Sequence, residues 1–264
     1  MVQERIPSAL IMEDDADWDV LLKSQLRSFA QGARYLQESD DSPTSVPTDS
    51  RNEQSLFNSP YGSDWDLLWL GHCGAVNNAS ASQRTWVIHE DASAVPHELW
   101  PYGRRQPNVS PSEFSGSNFT RYIYEPRHGL CMTGYALSLR GAERLLYHQS
   151  LSGSALVSDR ALATLCRDRN YGFRCISPYP TFIASHRAAG DTDKDSDRLF
   201  GREIREIGYS EGLVFSTRLN MERLLSGEET VISQFPSDTL VSSISRHEEL
   251  PLGDGVYVRI TDFA

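Results

Sequence analysis

Ser8-Ala9-Leu10-Ile11-Met12-Glu13-Asp14-Asp15-Ala16-Asp17 runs from a short apolar segment into four carboxylates within five positions. A short apolar run reads as a buried strand. Carboxylates at its carboxyl end would stand at a sheet edge, where open α/β proteins bind ligands. Carboxylates so crowded repel one another, and a cation or bound protons must offset them. A hard divalent ion such as Mg²⁺ or Mn²⁺, shared with substrate phosphates, meets that need. On a strand Glu13 and Asp15 would share a face and Asp14 would point away, unless the chain turns there. A plainer role competes: Asp15 or Asp17 caps the helix that follows and favours its positive end.

That helix is predicted from Trp18 to Tyr35, where Trp18, Leu21, Leu22, Leu26, Phe29 and Ala33 share one face. Residues 38–60 shift to Ser, Asp, Asn, Pro and Thr and read as a polar surface loop. Beyond it, Trp65 to Leu70 reads as a buried strand ending at Gly71-His72, with shorter strands at Thr85–His89 and Thr120–Tyr124. Met132 to Leu139 is another strand. Helices are predicted over Gly141–His148, with Leu145 and Leu146 inward, and over Asp159–Arg167, with Ser158 as cap. Phe173–Ile176 and Thr181–Ala184 complete the pattern as short strands. Strands interleaved with helices argue for one α/β domain over residues 1–222. Residues 223–264 form a C-terminal extension, of which Leu240 to Ala264 is a tail or an accessory hairpin.

The bulk properties narrow the function. With 264 residues, 39% hydrophobic and 23% charged, the chain can bury a substantial core. A net charge of −11 without a Lys/Arg block argues against a nucleic-acid surface. No apolar run approaches the roughly 20 residues that span a bilayer, and Met1 to Pro7 lacks the apolar stretch of a signal peptide. Glycosylation sequons begin at Asn78, Asn108 and Asn118. Four cysteines, Cys73, Cys131, Cys166 and Cys175, allow three pairings or four buried thiols; Cys166 and Cys175 could staple one short connection.

Several blocks in order resemble glycosyltransferase family 25, which includes lipopolysaccharide and collagen galactosyltransferases; its fungal members are the most similar. These blocks are Leu10 to Asp19, Trp65 to Gly74 (WDLLWLGHCG), Cys131 to Ser138 with Gly141 to Leu146, and Ser158 to Leu162. Phe182 to Arg187, Asp191 to Asp197 and Ser216 to Asn220 continue the likeness.

The resemblance implies a GT-A-like nucleotide-sugar transferase fold. It implies inverting transfer of a hexose, most often galactose, from UDP-galactose or UDP-glucose to a glycan or glycoprotein acceptor. It further implies Mn²⁺ or Mg²⁺ held by Asp15 with Asp14 or Glu13 alongside, and His186 as a further ligand. Asp159 is the expected general base on the acceptor hydroxyl, with helix capping as its plainer role. His72, Asp17 and Thr133 are expected to contact donor or acceptor. Trp86, Trp100 and Tyr102 are aromatic faces on which a sugar could stack. With the sequons, the resemblance points to the secretory pathway or Golgi lumen.

Family members carry an earlier strand and an Arg-rich turn that build much of the nucleotide pocket, and the match here begins at the acidic strand. The chain is therefore expected to lack the first strand or strands, to bind nucleotide-sugar weakly, and to be less stable than a longer relative. A catalytically impaired remnant that contacts carbohydrate or serves a structural role is the alternative. A metal-dependent phosphohydrolase is disfavoured, since no Asp-x-Asp pair leads into a Thr- or Gly-rich turn.

Overall fold

The apolar segments pair into a seven-stranded mixed sheet in the computed structural model. It describes residues 1–38, 59–77, 84–100, 106–107, 119–151, 158–195, 203–228, 230–235, 243–245 and 258–261. The polar stretch 39–58, the three sequon asparagines and Tyr102 lie outside the described residues.

Ten strands in chain order are β1 (Ser8–Met12), β2 (Ala16–Trp18), β3 (Leu67–Gly71), β4 (Gly74–Val76), β5 (Thr85–Ile88), β6 (Arg121–Tyr124), β7 (His128–Leu130), β8 (Gly134–Ser138), β9 (Cys175–Tyr179) and β10 (Ile183–Arg187). Six further short strands follow, the last being β16 (Val258–Thr261). The large sheet runs β1-β8-β3-β9-β6-β5-β16. Every neighbouring pair in it is antiparallel except β3 with β9.

Helices α1 (Leu22–Gln37), α2 (Leu139–Leu151) and α3 (Ser158–Arg167) pack against the sheet, and α4 (Met221–Leu225) is a short turn of helix. Successive side chains of a strand face opposite sides. Leu68, Trp86, Ile123 and Ile176 therefore meet Phe29, Ala33 and Leu36 of α1 on one side. Leu67, Trp69, Leu137 and Cys175 meet Leu162, Leu165 and Cys166 of α3 on the other. Both faces are covered, which explains why β3, β5, β6 and β9 are buried throughout.

The acidic strand departs from expectation. β1 is an edge strand with one neighbour, and Leu10 at its centre is 51% exposed. The helix also starts later than predicted, because Ala16–Trp18 pairs with β10 instead. Neither Asp15 nor Asp17 caps it; α1 has no side-chain cap, and Asp19 accepts from Leu21 N ahead of the first turn. Ser158 is the first residue of α3 rather than a preceding cap. Leu146 is 55% exposed, while Leu145 packs inward; neighbours on a helix cannot both face one sheet.

Of the span expected as a tail or an accessory hairpin, Leu240 to Ala264, residues 243–245 and 258–261 are described. β14 (Thr230–Ile232) pairs with β15 (Ser243–Ser245), Val231 is buried, and β16 forms the sheet edge beside β5. Among the described residues, no helix is long and apolar enough to cross a membrane. Gly71 and Gly134, paired across β3 and β8, let β10 cross the sheet closely: a Cβ on Gly134 would lie 2.6 Å from Ile183 Cδ1. That crossing brings β10 to the carboxyl end of β1.

Candidate functional site

The acidic run occupies a turn between β1 and β2, not a strand. Glu13 N donates to Thr133 O at 3.1 Å and Ala16 N donates to Glu13 O at 3.1 Å. Arg218 pins the turn from outside, donating to Asp14 O and Ala16 O. Strand alternation therefore does not apply, and Glu13, Asp14 and Asp15 all line one open cleft of about 630 Å³. Thr133, Asp159, Ser185, Arg187 and Lys194 line the same cleft.

Asp159 lines the cleft from α3. It sits half-buried in the first turn of α3, where Oδ1 accepts from Arg160 N at 2.7 Å and Oδ2 from Cys131 N at 3.3 Å. Cys131 turns with φ 64° and is disulfide-bonded to Cys73. That bond joins the connection after β3 to the connection before β8, and both cysteines line the cleft. The second disulfide, Cys166–Cys175, ties α3 to the start of β9. No cysteine is free.

The carboxylates of the turn feel one another. Burial, then Asp15 and Asp14, push the Glu13 carboxyl above its ordinary value, while a hydrogen bond with Thr133 acts the other way. Asp15 has found an internal cation: its Oδ2 accepts from Arg187 Nη1 at 3.1 Å. The same Nη1 donates to Asp195 O at 2.8 Å. Asp195 is itself paired with Arg205, whose hydrogen bond holds its carboxyl below the usual range. Among the described residues, no three His, Cys, Asp or Glu side chains are grouped to hold a metal ion. One or two carboxylates with phosphate oxygens and water satisfy a Mg²⁺-type ion; the turn fits that mode and not an all-protein cage.

His186 and Asp17 lie behind the cleft. On β10, Ser185 and Arg187 face the cleft, so alternation turns His186 away. His186 Nδ1 meets Ser210 Oγ at 2.9 Å, and Ser210 Oγ donates to Asp17 Oδ2 at 2.5 Å. Asp17 is fully buried and also accepts from Ser216 Oγ, Trp18 N and Arg218 N. Burial lowers the His186 pKa, with Asp17 opposing.

His72 lines a smaller recess, about 40 Å³, with Trp100, Tyr179 and Glu211; it adjoins the cleft through Cys73, Thr133 and Ser185. A recess of that size is large enough for water and too small for a sugar ring. His72 Nδ1 accepts from Gly74 N at 3.1 Å and Nε2 donates to Pro178 O at 3.1 Å. Burial lowers its pKa to about 4, so the ring is neutral. Thr133 bridges the two spaces, its Oγ1 3.3 Å from Ser185 Oγ. Of the aromatic candidates, Trp86 is in the core against α1 and Trp100 walls the recess.

Of the sequence-predicted residues, Glu13, Asp14, Asp15, Asp159 and Thr133 thus come together in the cleft, His72 lies just beneath it, and Asp17 and His186 stand apart. Arg187 and Lys194 were missed. For Arg187 a signal existed: Ser185 and Arg187 share a face on any strand through Phe182–Arg187. Comparison of the chain with protein-family profiles, with curated proteins and with solved structures returned no match. The functional reading therefore rests on the ordered sequence blocks and the geometry of the cleft.

Proposed function

We propose that the chain is a divalent-metal-dependent glycosyltransferase with a GT-A-like fold, passing a hexose from a UDP-sugar to a glycan or glycoprotein hydroxyl with inversion. One observation carries this reading: three carboxylates of one turn and Asp159 line a single cleft together with Arg187 and Lys194. A Mn²⁺ or Mg²⁺ ion held by Asp15 with Glu13 or Asp14 would stabilise the charge that builds on a leaving diphosphate. Asp159, fixed by Cys131 N and Arg160 N, keeps a carboxylate in the cleft to take the proton of an acceptor hydroxyl. Arg187 and Lys194 supply positive charge for phosphate oxygens. The two disulfides support an oxidising compartment such as the secretory pathway.

A second reading, a scaffold without catalysis, is favoured by the Asp15–Arg187 pair, which already neutralises the intended ligand. One measurement separates the two: Mn²⁺-dependent release of UDP from UDP-galactose. The transferase reading expects release that falls about 10²-fold in Asp15→Ala and in Asp159→Asn, in line with loss of one group stabilising or accepting developing charge. Absence of Mn²⁺-dependent release, with Mn²⁺ binding unaltered by Asp15→Ala, would leave the scaffold reading.

A further inference from the structure

A second concavity lies at the opposite end of the strands, by the amino ends of β3 and β9. It measures about 330 Å³ and is lined by Arg127, Arg169, Arg174, Asp64, Glu125 and the Cys166–Cys175 disulfide, among others. In a chain of net charge −11, three guanidinium groups in one small groove call for an explanation.

Both carboxylates of the groove are already engaged. Arg174 pairs with Glu125 at 2.9 Å and with Asp64 at 2.5 Å, and Arg140 takes the other oxygen of Asp64 at 2.9 Å. Arg127 donates from Nη1 to Arg167 O at 3.2 Å, yet its Nε is buried with no hydrogen-bond partner among the described residues. A buried donor left without a partner is costly, the more so when it carries charge. Arg169, exposed on the 3₁₀ turn Arg169–Tyr171, makes no ion pair among the described residues. It stands close enough to Arg127 to disfavour the charged form there, second only to burial and only partly offset by Glu125. Two guanidinium groups thus line one groove with Glu125, a carboxylate already paired with a third, Arg174.

We infer that the Arg127–Arg169 groove binds the phosphate or sulfate group of a small molecule. Guanidinium forks match tetrahedral oxyanions bidentately, and a bound anion relieves the repulsion between the two arginines. The volume falls within the roughly 300–1,000 Å³ of small-molecule sites and leaves room for the body of an ester beside the oxyanion. The site is independent of the acidic cleft and of the transferase reading.

The test is isothermal titration calorimetry on the full chain at constant ionic strength, with inorganic phosphate, inorganic sulfate and glucose 6-phosphate as separate titrants. Saturable binding is expected, about tenfold weaker in Arg169→Gln and in Arg127→Lys and unchanged in Arg27→Gln, a control on the exposed face of α1. Tighter binding of glucose 6-phosphate than of inorganic phosphate identifies an ester as ligand; equal binding identifies the free ion. Arg169 is exposed, so its replacement leaves the fold intact. The inference is overturned if none of the three titrants saturates, if both groove variants bind as the wild type does, or if Arg27→Gln weakens binding equally.

Discussion

His72 and Asp19 make opposite demands on pH, and the balance between them can be measured. His72 is neutral because it is buried; Gly74 N–H also points at Nδ1, so protonating that nitrogen would set donor against donor. Its folded pKa of about 4 lies below the ordinary 6.5. Its stabilising contribution is complete above about pH 6.5 and lost as pH falls through 4, a change of about 3 kcal/mol. Asp19 behaves in reverse. Burial raises its carboxyl from 3.8 to about 7, against the hydrogen bonds from Leu21 N and Phe215 N and the charge of Arg121. Its contribution is complete below about pH 4 and lost as pH rises through 7, a change of about 4 kcal/mol in total. Between about pH 4 and 6.5 the two slopes nearly cancel, so each is hidden in the wild type. Urea unfolding followed by tryptophan fluorescence from pH 4 to 8 exposes them. Relative to the wild type, Asp19→Asn is expected to gain stability with rising pH across that window by about 4 kcal/mol. His72→Gln is expected to lose about 3 kcal/mol. Lost contacts shift each curve by a constant, so the slope alone is diagnostic. Variant curves running parallel to the wild type would refute the assignment of buried, oppositely shifted groups.

Two further outcomes follow from geometry. The disulfides close loops of very different length, 58 and 9 residues apart in sequence. Loop entropy assigns about 4 kcal/mol to Cys73–Cys131 and about 3 kcal/mol to Cys166–Cys175, so replacing the first pair by Ala should lower the unfolding free energy more; the reverse order would contradict it. Gly141→Ala should destabilise despite gaining about 1 kcal/mol of helix propensity, because its Cβ would lie 2.2 Å from Asp66 O, a backbone atom that cannot rotate away. Overpacking of this kind costs about 1–3 kcal/mol, and a raised urea midpoint would show that α2 shifts freely.

Much of the sheet was legible because its central strands are hydrophobic on both faces. Trp65 to Leu70, Thr85 to His89 and Thr120 to Tyr124 each coincide with a strand to within a residue or two at either end. The errors fall where tertiary pairing overrides local pattern. Trp18 and Leu21 continue the helical spacing of α1, yet Ala16–Trp18 is drawn into β2 because β10 crosses at Gly71 and Gly134 and offers backbone partners. The edge position of β1 was not legible either, since an apolar run of five residues reads alike with one neighbour or two. In the site, the pairing of Asp15 with Arg187 spans 172 positions, and no local spacing reports a contact of that range.

The turn at Glu13–Asp15 changes what the acidic run can do. On a strand it would offer two carboxylates to one side; in the turn it offers three, and Asp159 of α3 adds a fourth. Asp195 is taken up by Arg205, so Arg187 and Lys194 are left to offset four acids. The fixed charge of the cleft is therefore negative, and a nucleotide diphosphate entering alone would be repelled. On the transferase reading a divalent cation would reverse that balance, and its approach to Asp15 would free Arg187 for phosphate oxygens. On the same reading, the ion pair that argues against a metal ligand when taken alone would be the counter-charge that holds Asp15 beside Glu13 before a cation binds. On the transferase reading, Mn²⁺ must bind before UDP-sugar, and UDP titrated without Mn²⁺ should give no saturable heat; UDP binding of equal strength with and without the metal would break this chain of reasoning at its electrostatic step.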